Sequence, residues 1–322
     1  MTASRDIKPL TTTVGAEIFG FDLRALSDQE RAQIRDDLDR HSVLVFRKQN
    51  LDLQSQKAFA KVFGPLEPLQ SLKFLGADAA VVIENVLTAR NQRSDYQRWG
   101  EFAGWHTDSS FTQQMPRAAV LRAEIIPPHG GMTAWTNVCA AFEALSPIMQ
   151  QWLMTLQAWH SYPDGYREAI GLPNMDKAIQ DRFDEEFAPR CQPVVIRHPR
   201  SGRCGLFVNP GYTTRIDGLS AAESRNLLSF LFAHLSNSDF IYRHRWEEGD
   251  IVAWDELATL HLAPDPGEYA PHVRRVVRVT AGLETPQPAL AMQPALAMQP
   301  AQGAKGPAPA STPPRGVLAS AR

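Results

Sequence analysis

The sequence has few cysteines, a small net charge and no long hydrophobic run. Its three cysteines, Cys139, Cys191 and Cys204, form no Cys-X-X-Cys pair, which argues against a disulfide framework or a thiolate zinc site. A net charge of −2 over 322 residues is not that of a nucleic-acid-binding protein. The chain lacks the run of about 18 apolar residues that a membrane span needs, and its N-terminus lacks the apolar stretch of a signal peptide. We therefore expect a cytoplasmic protein without a membrane or nucleic-acid partner.

The composition changes near the C-terminus, where alanine, proline and glutamine dominate from Pro286 onward. The hexapeptide Gln-Pro-Ala-Leu-Ala-Met occurs twice in tandem, over 287–292 and 293–298. A proline-rich segment without aromatic residues buries too little apolar surface to offset the conformational entropy that it would lose on folding. The sequence therefore predicts one folded domain over 1–285 and a disordered tail over 286–322. A tail that binds a partner protein is the alternative.

Capping signals and hydrophobic periodicity predict short strands and a few helices before the tail. Ser27 with Glu30, and Ser220 with Glu223, have the spacing of capping boxes. The predicted helices cover 27–39, 54–63, 146–156 and 220–235. The predicted strands cover 43–46, 81–84, 119–123, 239–245, 250–254 and 274–281. Many short strands separated by turn signals indicate an antiparallel architecture, so we expect a mainly β protein decorated by helices.

The segment Gly104–Phe111 carries the most informative motif, a histidine and an aspartate two residues apart. His106 and Asp108 point to the same side of an extended chain, and the distant His261 is a candidate third ligand. Two histidines and one carboxylate are the ligand set of a facial iron(II) site, whose other face stays open for a co-substrate and O2. Asp255 is the alternative carboxylate.

Three further motifs follow in order along the chain. They are Gly-Gly-Met-Thr-Ala-Trp at 130–135, Asp-Ile-Val-Ala-Trp-Asp at 250–255, and a strand that carries Arg274 and Arg278. With these motifs, residues 8–284 resemble the taurine/2,4-dichlorophenoxyacetate dioxygenase family of iron(II)- and 2-oxoglutarate-dependent enzymes. The resemblance implies a double-stranded β-helix, or jelly roll, with Fe(II) held by His106, Asp108 and His261.

The resemblance also implies roles for other residues. Arg274 and Thr133 would hold 2-oxoglutarate, and Arg278 would hold the anionic group of the prime substrate. A longer loop after His261 leaves the neighbouring Arg275 as an alternative to Arg274. From their rough positions, the other candidate residues of the substrate pocket are Lys73, Phe102 and Trp105, with Gln70 and Ser71. For Lys73, a surface position is equally compatible with the sequence.

Other segments are candidate lids or departures from the family pattern. The segment 91–104 is one candidate lid, and 162–166 with its acidic neighbour 181–186 is another. The family usually shows Trp-Asp-Asn where this chain has Trp254-Asp255-Glu256, and Leu262 stands where arginine is common. These differences lie beside His261 and would alter its surroundings without removing a ligand.

The sequence thus predicts an Fe(II)- and 2-oxoglutarate-dependent dioxygenase that releases succinate and CO2. The expected substrate is a small organic anion, such as a sulfonate, sulfate ester or aryloxyalkanoate, which is hydroxylated and then cleaved. No catalytic residue beyond the metal ligands is predicted, and family members suggest a homodimer or homotetramer. The alternatives are a related oxygenase with a biosynthetic outcome, a non-catalytic metal-binding jelly roll and a zinc hydrolase.

Overall fold

The structure is a computed structural model that describes residues 6–84 and 99–290. The α-helices in these ranges are α1 (Asp28–His41), α2 (Leu53–Ala60), α3 (Gln70–Phe74), α4 (Val138–Glu143), α5 (Pro147–Leu153), α6 (Asp164–Ala169), α7 (Lys177–Glu186) and α8 (Ala221–Leu235). Short 3-10 helices cover Lys61–Phe63, Gly100–Phe102, Leu172–Asn174, Ser238–Phe240 and Pro266–Glu268. The predicted lid over 91–104 lies outside the described residues up to position 98.

The strands form one large sheet and three small ones. They are β1 (Asp6–Pro9), β2 (Ala16–Phe19), β3 (Val43–Phe46), β4 (Ala80–Glu84), β5 (Met115–Ile125), β6 (Thr133–Asn137), β7 (Gln157–His160), β8 (Arg190–Pro193), β9 (Val195–Arg197), β10 (Cys204–Leu206), β11 (Thr213–Ile216), β12 (Ile241–His244), β13 (Ile251–Asp255), β14 (Thr259–Leu262) and β15 (Arg275–Glu284). The seven-stranded sheet has the order β1-β2-β3-β13-β5-β15-β4, and the small sheets are β12-β6-β14, β11-β7-β8 and β10-β9.

The large sheet is covered on both faces, which explains why β3 is apolar throughout. Leu44 and Phe46 pack with α1 and α2 on one face, through residues such as Ile34 and Phe59. Val43 and Val45 alternate to the other face and join a cluster that contains residues of β6 and β13. There Trp135 of β6 lies 5.6 Å from Trp254 of β13, so the β12-β6-β14 sheet packs on the large sheet. The large sheet is antiparallel except for the β2–β3 pair, and two such facing sheets are the arrangement expected of a jelly roll.

Most of the predicted helices and strands are present in the structure, in particular those with strong local sequence signals. Both capping boxes form, and α1, α8 and β3 lie within about two residues of their predicted bounds. The predicted helix over 146–156 is shorter, because α5 ends at Leu153. The second candidate lid is helical, with α6 and α7 packed through an aromatic cluster. In the described ranges, no helix is long and apolar enough to cross a membrane. The cytoplasmic location and the homo-oligomer stay predictions.

The start of the predicted tail is part of the folded structure. Gln287 accepts a hydrogen bond from the backbone N–H of Arg197 (2.9 Å), and Ala289 donates one to Val195 (3.0 Å). Ala289 is buried in the core formed by α4 and α8. The folded structure therefore reaches Leu290, five residues past the predicted domain end at residue 285, because the edge of β9 supplies backbone partners that composition does not reveal. Residues 291–322 lie outside the described residues, so their predicted disorder stays a prediction.

Candidate active site

A two-residue bridge between distant segments assembles the predicted metal ligands. The backbone N–H of His106 donates to the carbonyl of His261 (3.0 Å), and the N–H of His261 donates to the carbonyl of His106 (2.7 Å). Their rings lie 4.2 Å apart. Gly211 is required beside this bridge, because a Cβ atom there would lie 2.9 Å from the Cβ of His106. The bridge fixes the register between the Gly104–Phe111 segment and β14.

Asp108 completes the triad. Its Oδ1 lies 3.7 Å from Nε2 of His106 and 3.9 Å from Nε2 of His261, and the three donor atoms all lie within 4.8 Å of one another. Two imidazole nitrogens and a carboxylate oxygen at this separation suit a divalent transition metal such as Fe(II). Asp108 and His261 are buried, whereas His106 is partly exposed. The residues present therefore fit the metal that the sequence implies.

The electrostatic surroundings keep the ligands in the forms that bind a cation. Burial opposes the charge of Asp108, but the neighbouring Arg278 guanidinium outweighs it, so the pKa of Asp108 lies below its ordinary value. Burial, followed by the neighbouring His106, holds the pKa of His261 well below its ordinary value. A charged carboxylate and a neutral imidazole are the states that metal binding requires.

The structure brings the two predicted arginines to different parts of the site. Arg274 precedes β15 and is buried, with Nε donating to the carbonyl of Gly131 (2.9 Å) and Nη2 to Oγ1 of Thr133 (3.1 Å). Burial lowers the pKa of Arg274 to about 10, so the group remains a cation at neutral pH. Arg278 lies further along β15, and its Nη1 donates to Oδ2 of Asp108 (2.7 Å).

Trp246 is a residue of the Arg274 pocket that the sequence analysis missed. Its Nε1 donates to Oγ1 of Thr133 (3.0 Å), and its ring lies 5.9 Å from the guanidinium carbon of Arg274. Gly131 allows the arginine to approach, because a Cβ there would lie 3.2 Å from its Cδ and 2.9 Å from Pro127. No local signal identifies Trp246, since only the fold brings the β12–β13 loop to Thr133.

Three residues predicted for the substrate pocket lie elsewhere. Lys73 is half-exposed and pairs with Glu67 (3.0 Å) at the surface. Phe102 and Trp105 line a cavity of about 560 Å³ together with Met132 and Leu262, and the triad is not among its described lining residues. Trp105 lines this cavity because side chains alternate along an extended segment, so that Trp105 points away from the side that His106 occupies. The position of these side chains does not support their predicted role.

Three aromatic side chains, Tyr212, Phe111 and Tyr166, lie beside the triad instead, and they are called the aromatic wall. The ring of Tyr212 lies 5.9 Å from His106, 5.0 Å from Phe111 and 6.3 Å from Tyr166. The hydroxyl of Tyr166 forms a hydrogen bond with that of Ser71, one of the residues proposed from position alone. Burial raises the pKa of Tyr166, which also experiences the charges of Asp108 and Arg278. The candidate lid over 162–166 therefore contributes Tyr166 to the site.

The two carboxyl groups after Trp254 have separate surroundings. Oδ2 of Asp255 lies 3.1 Å from His198 and 2.5 Å from Arg200, which also pairs with Asp39 (2.7 Å). Asp39, His198 and Asp255 lie close enough to hold a cation, but Arg200 already pairs with both carboxylates, so Asp255 is a structural residue.

Glu256 is fully buried beside Asp108. Its Oε2 accepts a hydrogen bond from the N–H of Asp108 (3.1 Å) and lies 2.8 Å from the hydroxyl oxygen of Thr107, and its Oε1 accepts one from Nε1 of Trp254 (2.9 Å). Burial, followed by the charge of Asp108, raises the pKa of Glu256 to about 8.

Comparison with known proteins agrees with this geometry. The family model described as "Taurine catabolism dioxygenase TauD, TfdA family" matches residues 6–280. The chain belongs to the TauD/TfdA family. It is 34% identical to an α-ketoglutarate-dependent sulfate ester dioxygenase of Pseudomonas putida, covering 87% of this chain and 90% of the relative. It is 36% identical to an α-ketoglutarate-dependent 2,4-dichlorophenoxyacetate dioxygenase of Cupriavidus pinatubonensis, covering 79% and 90%.

A solved structure supports the same assignment. The chain is similar to a taurine dioxygenase from Burkholderia xenovorans, with a TM-score of 0.72 and 30% identity over 88% of this chain and 92% of that one. The jelly-roll prediction is thereby confirmed. As a TauD/TfdA member the protein is a 2-oxoglutarate (α-ketoglutarate)-dependent dioxygenase, a class that uses Fe(II), 2-oxoglutarate and O2. Membership of this enzyme family argues against the non-catalytic jelly roll and the zinc hydrolase.

Proposed function

We propose that the protein oxidises a small organic anion, with His106, Asp108 and His261 as the ligands of Fe(II). The convergence of the three donor atoms within 4.8 Å supports this assignment most directly. When bound, Fe(II) supplies the redox chemistry that couples oxidative decarboxylation of 2-oxoglutarate to oxidation of a substrate C–H bond. The chain itself contributes binding, orientation and exclusion of water.

Arg274 and Thr133 are proposed to hold the distal carboxylate of 2-oxoglutarate. A guanidinium presents paired N–H donors to a carboxylate, which a lysine ammonium does not. The hydroxyl oxygen of Thr133 already accepts hydrogen bonds from Arg274 and Trp246, so its own proton is left to donate. Such a pocket matches a dicarboxylic co-substrate whose far end must be anchored away from the metal.

Arg278 is proposed to hold the anionic group of the prime substrate. One of its five N–H donors contacts Asp108, and others remain for an oxyanion such as a sulfonate, sulfate ester or carboxylate. The aromatic wall next to the triad suits an aryl or alkyl body, and the Tyr166–Ser71 hydroxyl pair offers a further polar contact. The similar sulfate ester and 2,4-dichlorophenoxyacetate dioxygenases act on substrates of this general kind.

The test is a turnover screen with purified protein, Fe(II), ascorbate and 2-oxoglutarate. The panel contains alkyl sulfonates, sulfate esters, aryloxyalkanoates and amino acids, each beside an uncharged analogue. Succinate and the oxidised product are both quantified, so that hydroxylation, cleavage and desaturation are told apart. Stimulation of succinate release by one anionic class supports the proposal. Equal stimulation by the uncharged analogues contradicts the role of an anion.

Arg278→Gln is the matching variant for the substrate site, with Arg275→Gln as its control on the same strand. Loss of a hydrogen bond to a charged group costs about 1.5–3 kcal/mol, so KM for the anionic substrate is expected to rise about 10–100-fold. Uncoupled decay of 2-oxoglutarate should persist in Arg278→Gln. A KM that changes equally in both variants argues against the assignment of Arg278.

A further inference from the structure

The two histidines of the triad differ in what their second nitrogen contacts. Nδ1 of His106 lies 2.8 Å from the carbonyl oxygen of Gly104 and donates to it. This contact puts the proton on Nδ1 and leaves the Nε2 lone pair directed at the centre of the triad. Nδ1 of His261 is buried and has no hydrogen-bond partner among the described residues. One ligand is therefore held in the tautomer that binds metal, and the other is not.

A ligand histidine almost always donates its second ring N–H to a carboxylate, a carbonyl or water, which fixes both the tautomer and the ring orientation. Nε2 of His261 faces Asp108, so metal binding there requires the proton to be on Nδ1. Oε2 of Glu256 lies 4.0 Å from this Nδ1. A hydrogen bond spans about 2.7–3.2 Å, so a ring movement of about 1 Å brings the two atoms into contact.

Glu256 is well placed for such a role because its own position is fixed. The N–H of Asp108 donates to Oε2 and the indole N–H of Trp254 donates to Oε1. Thr107 has a single hydroxyl proton, and its oxygen lies closer to the backbone carbonyl of Glu256 (2.6 Å) than to Oε2 (2.8 Å). With that proton on the carbonyl, Oε2 keeps a second lone pair that can accept from His261. The oxygen that would accept from His261 already accepts from the backbone N–H of Asp108, so one side chain would contact two of the three ligands.

We propose that Glu256 is a positioning residue that orients His261 and Asp108 for metal binding. This inference rests on the proposed metal site. Glu256 acts through the ligands and touches neither substrate nor co-substrate in this assignment.

The experiment compares Glu256→Met, which keeps the volume but removes both oxygens, with Glu256→Gln, which keeps one oxygen for Asp108 and His261. The probe is Co²⁺ added to the metal-free full-length protein. Calorimetry gives its dissociation constant, and proton NMR detects the exchangeable imidazole N–H signals that the paramagnetic ion shifts. Asp37→Asn is the control, because Asp37 is a buried carboxylate on α1.

Wild-type protein should show two shifted N–H signals, one for each histidine. In Glu256→Met the His261 signal should be lost to solvent exchange, the His106 signal should persist, and the Co²⁺ dissociation constant should rise about 10–100-fold. Glu256→Gln and Asp37→Asn should keep both signals. Wild-type affinity and both signals in Glu256→Met would overturn the inference.

Failure of the metal site itself gives a different pattern. If wild-type protein binds no Co²⁺, or if His106→Ala binds it equally well, the proposed triad is wrong whatever Glu256 does. Should Glu256→Met not fold, Glu256→Asn replaces it, because the asparagine oxygen is withdrawn from His261 by one methylene. Two persisting N–H signals with unchanged affinity in Glu256→Asn also overturn the positioning role.

Discussion

At the scale of single residues, two arginines four positions apart have different neighbours. Arg274 contacts the carbonyl of Gly131 and the hydroxyl of Thr133, whereas Arg278 contacts the metal-ligand candidate Asp108. Both side chains are largely removed from water. A guanidinium presents paired N–H donors that match the oxygens of a carboxylate or sulfonate, which is the physical reason for proposing one arginine for each substrate.

Arg274→Lys tests the assignment of the co-substrate pocket. A lysine keeps the charge but loses the forked donors, so KM for 2-oxoglutarate should rise about 10–100-fold with a smaller change in kcat. Succinate formation at varied 2-oxoglutarate concentration measures both constants. Arg275→Lys tests the alternative that the sequence leaves open, and it should leave KM unchanged because the pocket of Thr133 and Gly131 contacts Arg274. An unaltered KM in Arg274→Lys would assign the carboxylate to another residue.

At the scale of elements, the sequence predicts helices that carry strong local signals and misses short strands that are buried. Ser27 and Ser220 begin α1 and α8 with capping boxes, because a serine followed three residues later by glutamate satisfies otherwise unpaired N–H groups. β6 and β14 were not predicted as strands, although they carry Thr133 and His261. Both are short and almost wholly buried, so neither shows the alternation that identifies a half-exposed strand.

The element β7 carries a pH-sensitive group, His160, at the centre of the β11-β7-β8 sheet. Its Nδ1 lies 3.0 Å from Oγ of Ser110, and burial lowers its pKa to about 3 from a usual value of 6.5. The unfolded chain therefore binds a proton below pH 6.5 that the folded protein rejects. The stability that His160 contributes is complete above pH 6.5 and is lost as pH falls towards 3, at up to about 1.4 kcal/mol per pH unit.

The variant His160→Gln should make the free energy of unfolding less dependent on pH. Urea unfolding of metal-free protein at pH 7, 6 and 5 gives the free energy of unfolding, and the variant should lose less stability over that range than wild type does. His272→Gln, at an exposed position, should show the wild-type slope. Equal slopes for wild type and His160→Gln would show that His160 is not the group responsible.

At the scale of the whole molecule, the folded structure includes residues beyond the point where composition predicts its end. The backbone of β9 pairs with residues 287 and 289, and Ala289 fills a place in the core. The tandem repeat therefore begins inside the folded structure.

Two truncations check this boundary. A chain ending at Leu290 should keep the thermal midpoint and the turnover of the full protein. A chain ending at Thr285 should be less stable by about 1–3 kcal/mol, because two backbone hydrogen bonds and one buried side chain are removed. Urea unfolding measures the difference. Equal stability of the two truncated proteins would contradict the role of residues 286–290.

The sequence by itself determined the family, the three candidate ligands and the two candidate arginines, because the motifs that carry them follow one another in the family's order along the chain. His106 and Asp108 share a side through the alternation of an extended chain, and Arg274 and Arg278 are near in sequence. Tertiary structure alone decided the contacts between distant segments. Trp246 at Thr133, Tyr166 at Ser71 and Glu256 at His261 each join parts of the chain that no local pattern relates. Proximity in sequence to a ligand does not decide which side of the backbone a side chain occupies, as Trp105 beside His106 shows.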